Sequence, residues 1–263
     1  MLLVIDVGNT SIVYGVYQDK ELIQNFRIAT VKTRSSDEYG MIFQNTLSHA
    51  GIELNEIENV IISSVVPNLM HTLPSMIIKY FGKMPIIVNT ELNYDLKVEY
   101  DNPSAVGADR IVNAVAALEV YGGPCIIIDI GTAMTFCVVD EERIYRGGLI
   151  FPGIGISAEA LFERTSKLPR IEIKRTEKVV QTNTVASMQS GLYHGYNVLI
   201  DGIIEKIMLE MGFDEEKTKI ISTGGFSTLL THESKYDIII DKYLTLDGLR
   251  IIYDMNRDKI LGN

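Results

Sequence analysis

The chain has 263 residues, 46% of them hydrophobic and 22% charged, with a formal net charge of −10. This composition suits a globular protein of one large domain or two of about 130 residues each, and it excludes disorder. It also argues against a nucleic-acid-binding surface: the basic residues are scattered, and the charged stretch from Lys167 to Arg175 reads as a solvated loop or hairpin.

Membrane and secretory classes are equally ill suited. No apolar run approaches the ~20 residues of a membrane-spanning helix. The N-terminal apolar run is interrupted at Asp6 and lacks a basic leader, so it is not a signal peptide. A cytoplasmic location is the expectation. Cys125 and Cys137 are too few for a disulfide framework and fall in apolar runs that read as neighbouring strands, so both are expected to be reduced and buried. His49, His71, His194 and His232 are dispersed, with no partner at zinc-ligand spacing.

In chain order, Leu2 to Asp6, Ser11 to Tyr17 and Glu21 to Ala29 read as three strands of an antiparallel meander. Asp37 to Ala50 has helical spacing, and Val60 to Val66 is a β-branched run suited to a buried strand. A helix over Leu69 to Tyr80, a strand over Pro85 to Val88 and a helix over Ile111 to Val120 follow. From Cys125 the pattern restarts: Ile126 to Thr132 echoes Leu3 to Asn9, each an apolar strand ending in Asp, an apolar residue, Gly and a small polar residue. The echo predicts a duplicated α/β lobe, with the boundary at the turn-forming cluster Tyr121-Gly122-Gly123-Pro124. The expected lobes are residues 1–121 and 122–263. A long amphipathic helix (Ser187 to Met211), a strand (Lys219 to Ser222) and a turn at Gly224-Gly225 complete the second.

Three of these segments carry chemistry. In Asp6-Val7-Gly8-Asn9-Thr10 the glycine permits a tight turn, exposed turn amides can hold phosphate oxygens, and the carboxylate can hold a hydrated divalent cation. A plain polar turn between strands explains that segment alone equally well. Its echo at Asp129-Ile130-Gly131-Thr132, with the third glycine turn Thr223-Gly224-Gly225-Phe226, favours a two-sided phosphate clamp. No G-x-x-x-x-G-K-[ST] segment occurs. Gly153 to Ala158 fits a loose dinucleotide fingerprint, but it lacks the surrounding βαβ unit and reads better as a glycine turn opening a helix. Gly107-Ala108-Asp109-Arg110 precedes the predicted helix. There Asp109 is either a helix cap or a carboxylate base beside an arginine able to fork onto an anion.

The three glycine turns resemble the phosphate-1, phosphate-2 and adenosine segments of the acetate kinase, sugar kinase, Hsp70 and actin superfamily. The fold this implies is α/β, with two duplicated ribonuclease-H-like lobes around a nucleotide cleft. With Gly107 to Arg110, Gly147-Gly148 and Pro152-Gly153 added in order, the chain resembles type III pantothenate kinase over essentially its full length. That resemblance implies phosphorylation of pantothenate by ATP. It assigns Asp6, Val7, Gly8, Asn9, Thr10, Ser11, Ile12 and Val13 to the ATP phosphates, with Asp6 on Mg²⁺, and Thr132 to ATP. It makes Asp109 the general base. Tyr100, Gly107, Ala108, Arg110 and Thr184 join Asp109 in contacting pantothenate, and Asp129 takes a monovalent cation, K⁺ or NH₄⁺. A homodimer with the substrate pocket completed at the interface is also implied. Other small-molecule kinases of the superfamily, and a non-enzymatic regulator, are the competing readings; the segment Gly107 to Arg110 and the presence of Asp6, Asp109 and Asp129 weigh against them.

Overall fold

The computed structural model describes residues 1–261. In chain order the elements are β1 (Leu2–Val7), β2 (Ser11–Gln18), β3 (Glu21–Ala29), α1 (Ser36–His49), β4 (Asn59–Ser64), α2 (Thr72–Phe81), β5 (Ile86–Ile87), β6 (Lys97–Val98) and α3 (Ala108–Tyr121). The rest are β7 (Cys125–Ile130), β8 (Ala133–Val139), β9 (Ile144–Pro152), α4 (Ile154–Glu163), α5 (Thr184–Met211), β10 (Lys219–Thr223), α6 (Ser227–Thr231), β11 (Ile238–Ile240) and α7 (Leu244–Leu261). Local chemistry sets several boundaries. Ser35 and Glu38 form a reciprocal capping box at the start of α1. Gly82 and Gly212 end α2 and α5 in the left-handed conformation.

The chain forms two compact units. The first comprises Met1–Leu96, Tyr100–Ala116 and the segment from Leu244 onward. Its sheet has the order β3-β2-β1-β4-β5, with β1 antiparallel to β2 and parallel to β4. Leu3, Ile5 and Val7 of β1 pack with Tyr14, Phe43, Leu47, Val60, Ile62 and Ile77 in one core. Side chains alternate across a strand, so Val4 and Asp6 stand on the opposite face. There a β-carbon on Gly15, the register partner of Val4, would meet the Leu246 side chain of α7.

The second unit comprises Lys97–Glu99 and Ala117–Tyr243. Its sheet has the order β11-β10-β7-β8-β9-β6. Here β7 is antiparallel to β8 and parallel to β10, repeating the relations of β1. The two first strands even share one burial pattern, with the aspartate half-buried in an otherwise buried strand. Ile126, Ile128, Ile130 and Phe136 pack beneath Leu192, Ile200, Ile204 and Ile207 of α5. Each unit is thus the α/β lobe expected from the echo, of the ribonuclease-H-like kind that the resemblance implies, with β6 added at the edge of the second.

Compactness does not follow chain order. The sequence leads to a single division at residues 121 and 122, whereas the first unit ends within α3 and takes back α7. The reason is burial: Leu244, Leu249 and Ile252 of α7 are fully buried. Their periodicity was available in the sequence but lies beyond the last motif. The predicted apolar stripe of α5 is likewise used inside its own unit, with Leu192, Ile204 and Ile207 buried and Leu199 and Ile203 packed against them.

Candidate active site

In the first unit Asp6 is the penultimate residue of β1, half-buried, at the strand end that leads into the turn. That turn closes through a hydrogen bond from the Gly8 amide to the Ser11 carbonyl at 3.0 Å, and Thr30 Oγ1 donates to the Gly8 carbonyl at 2.6 Å. Asn9 and Thr10 are exposed at its tip. Val7 and Ile12 are fully buried, so their side chains anchor the turn in the core while their neighbours face outward.

The segment Gly107 to Arg110 belongs to the same end of this sheet. The Val65 amide, just beyond β4, donates to the Val7 carbonyl at 3.1 Å. Val65 Cγ1 in turn lies 3.6 Å from where a β-carbon on Gly107 would sit. The sequence suggests that Asp109 precedes a helix starting at Ile111. Instead α3 begins at Ala108, because the Arg110 and Ile111 amides already bond to the Gly107 carbonyl. Asp109 therefore sits in the first turn. Its Oδ1 accepts from the Arg110 amide at 2.8 Å and folds across Gly107, where any β-carbon would approach it to 2.6 Å.

Burial pushes the Asp109 carboxyl above the ordinary carboxylate range, outweighing the amide hydrogen bond and the positive charge of Arg110. The Arg110 side chain is itself buried. Tyr100 lies in the irregular segment before α3, 39% exposed, ahead of a short helical turn over Pro103–Ala105 capped by Asn102.

In the second unit Asp129 holds the corresponding place in β7, and Thr132 is exposed in the turn that follows. Two glycine turns close on it. The Gly153 amide donates to the Thr132 carbonyl at 3.0 Å, and the Phe226 amide donates to the Ile130 carbonyl at 3.3 Å. Gly224, with φ +94°, has no room for a side chain: a β-carbon would stand 2.7 Å from Asp129 Oδ1 and 2.6 Å from the Ile130 carbonyl.

Thr184 is the first residue of α5 rather than part of the preceding loop, because Asn183 caps the helix by accepting from the Ala186 amide at 2.9 Å. Thr184 and Thr182 line one open cavity of about 790 Å³ together with Leu161, Leu168 and Met188. Neither Asp129 nor Thr132 contributes to that lining.

One residue of the first site has no motif to announce it. Ser63 of β4 is the register partner of Asp6, fully buried, with an Oγ that has no hydrogen-bond partner among the described residues. The oxygen chemistry here suits a hard cation: one carboxylate fits Mg²⁺ that arrives with nucleotide phosphates, since Mg²⁺ keeps water and phosphate ligands rather than a full protein cage. The unpartnered Ser63 hydroxyl is consistent with a polar species at that strand end.

Comparison with known proteins adds to this geometry. A family model described as type III pantothenate kinase matches residues 2–206. A type III pantothenate kinase from Halalkalibacterium halodurans is 48% identical over 256 residues, covering 97% of this chain and all of that protein. One from Koribacter versatilis is 51% identical over 267 residues, covering 98% and 96%. Among solved structures, a Baf family protein from Campylobacter jejuni, titled a putative transcriptional activator, matches with a TM-score of 0.62 at 19% identity. It covers 97% of this chain and 99% of its own, and so speaks for the fold.

Proposed function

The chain belongs to the type III pantothenate kinase family, and from that premise we propose how its own residues carry out the transfer from ATP to pantothenate that opens coenzyme A synthesis. Asp109 accepts the proton of the pantothenate hydroxyl as its oxygen bonds to the γ-phosphorus. The bond from that phosphorus to the oxygen bridging it to the β-phosphate breaks, and ADP leaves. The observation that supports this role is the placement of Asp109 beside Gly107, which lies against Val65 at the strand end that also bears Asp6, in a setting where burial pushes its carboxyl up. A base works best when its pKa approaches the working pH.

Phosphoryl transfer otherwise needs positioning and charge neutralisation. The turn from Asp6 to Val13 receives the ATP phosphates, and Thr132 contacts the nucleotide. A divalent cation on the Asp6 carboxylate, when bound, neutralises phosphate charge. Asp129 holds a monovalent cation, K⁺ or NH₄⁺, a reading supported by the close packing of Gly224 against its carboxylate. Arg110 and Gly107 hold pantothenate, with Ala108, Tyr100 and Thr184 completing the pocket.

A homodimer that shares this pocket, and a cytoplasmic location, belong to the same reading. Val198 and Leu209, which α5 leaves 72% and 77% exposed, support the dimer. No described helix is long and apolar enough to cross a membrane.

The test is ADP release from ATP and Mg²⁺ with and without pantothenate, in K⁺ and again in Na⁺. Pantothenate-dependent release that needs K⁺ supports substrate and cation together. Equal turnover in Na⁺ removes the Asp129 assignment. Turnover only with another hydroxy compound removes the pantothenate contacts.

A further inference from the structure

The roles above employ Asp6 and leave its strand neighbour unexplained. Parallel pairing sets Asp6 of β1 opposite Ser63 of β4. Paired residues of adjacent strands share a face, and the strands run about 4.8 Å apart. The carboxylate and the hydroxyl therefore project side by side, away from the core that holds Ile5, Val7 and Ile62.

The three pairs just before it in this register are apolar: Leu3 with Val60, Val4 with Ile61, Ile5 with Ile62. Ser63 breaks the run while remaining fully buried, and its Oγ is unpartnered among the described residues. A buried hydroxyl without a partner costs stability that alanine would not. The protein retains it nonetheless. The second unit repeats the arrangement at the same place: Asp129 of β7 pairs with Thr223 of β10, which is also buried. A hydroxyl beside the strand-end aspartate is thus built twice.

We propose that Ser63 is a positioning residue for Asp6. Its hydroxyl, which makes no hydrogen bond among the described residues, turns to donate to the neighbouring Asp6 carboxylate when the divalent cation arrives with ATP, leaving the other carboxylate oxygen for the cation. Thr223 stands in the same relation to Asp129. The inference rests on the reading that Asp6 serves that cation.

The experiment measures Mn²⁺–ATP binding to the intact protein by calorimetry, alongside ATP binding in EDTA and thermal melting without ligand. Ser63→Ala should melt at the wild-type temperature or higher and bind ATP normally in EDTA. It should bind Mn²⁺–ATP about 10- to 100-fold more weakly, the usual cost of losing an outer partner of a metal ligand. Ser63→Thr should restore Mn²⁺–ATP binding, since the second unit already carries threonine at this register. Wild-type Mn²⁺–ATP affinity in Ser63→Ala, with Asp6→Asn impaired, overturns the inference and leaves the Asp6 reading intact. Unimpaired Asp6→Asn overturns both. A lowered melting temperature with equal losses in EDTA and in Mn²⁺ shows a purely structural serine and also overturns it.

Discussion

The carboxylate of Asp109 accepts a hydrogen bond from the backbone amide of Arg110 at 2.8 Å, inside the first turn of α3. One residue thus satisfies a helix-terminal amide and presents a buried acid beside Gly107. Asp109 lies inside the helix rather than capping it, and burial still pushes its carboxyl up despite the amide bond.

Replacing Asp109 by Asn separates the two roles. The amide oxygen can still accept from Arg110, so the fold should persist, while turnover should fall by about 10² to 10⁴. Stability gives an independent sign. Burial raises the folded-state pKa above the ordinary carboxylate value, so the native state binds more protons than the unfolded state between the ordinary value and the raised one. Stability therefore falls as pH rises through this window, and the penalty is complete above it. Asp109→Asn should melt as high as or higher than the parent protein at pH 7, with any advantage vanishing as pH drops below the ordinary carboxylate range. Melting curves across pH, set beside kcat, check both parts.

Arg110→Lys keeps the charge and loses the fork. If the planar guanidinium grips the substrate carboxylate, a charge-assisted bond of about 1.5–3 kcal/mol is at stake. The KM for pantothenate should then rise roughly 10- to 100-fold, with a smaller change in kcat. Steady-state kinetics at saturating ATP measure the split, and an unchanged KM would remove Arg110 from the pocket.

Gly224→Ala should destabilise the second unit by roughly 1–3 kcal/mol, since it forces a side chain into a left-handed conformation. It should also push on Asp129 and the Ile130 carbonyl, which stand 2.7 and 2.6 Å from the new carbon. The K⁺ concentration giving half-maximal activity should rise in the variant. Activation by K⁺ unchanged alongside lowered stability would separate the glycine turn from the cation.

Cys125 and Cys137 are both buried and unbridged, and burial first, with Cys137 nearby second, pushes the Cys125 thiol up to about 12. Thiolate is the reactive form, so neither cysteine should react with an aromatic disulfide at pH 8 until guanidinium is added. Rapid reaction of the native protein would contradict the packing around β7 and β8.

Much of this was legible because the chain writes its lobe twice. The match of Ile126 to Thr132 with Leu3 to Asn9 exposed both first strands, both aspartates and the duplicated fold before any coordinate. What escaped were the relations that only pairing creates. Ser63 ends an apolar run and looks like an ordinary strand terminus until register sets it beside Asp6. Gly224 reads as a turn glycine, with nothing to indicate that its missing side chain makes room for Asp129. The sequence suggests a start for α3 three residues late, because Asp109 is a good cap residue, whereas Gly107 supplies the accepting carbonyl.

The return of α7 to the first unit bears on how the polypeptide matures. β1 to β5 leave the ribosome early, but Leu244, Leu249 and Ile252, which α7 buries in that unit, emerge only after the whole second unit has been made. Buried aliphatic side chains of this kind contribute about 1.5–3 kcal/mol each. The first-made lobe must therefore wait, with part of its sheet uncovered, while the later lobe is free to fold ahead of it. Nascent chains stalled before Leu244 should thus show a protease-resistant second unit and a sensitive first one, the reverse of the usual order in which N-terminal domains settle first.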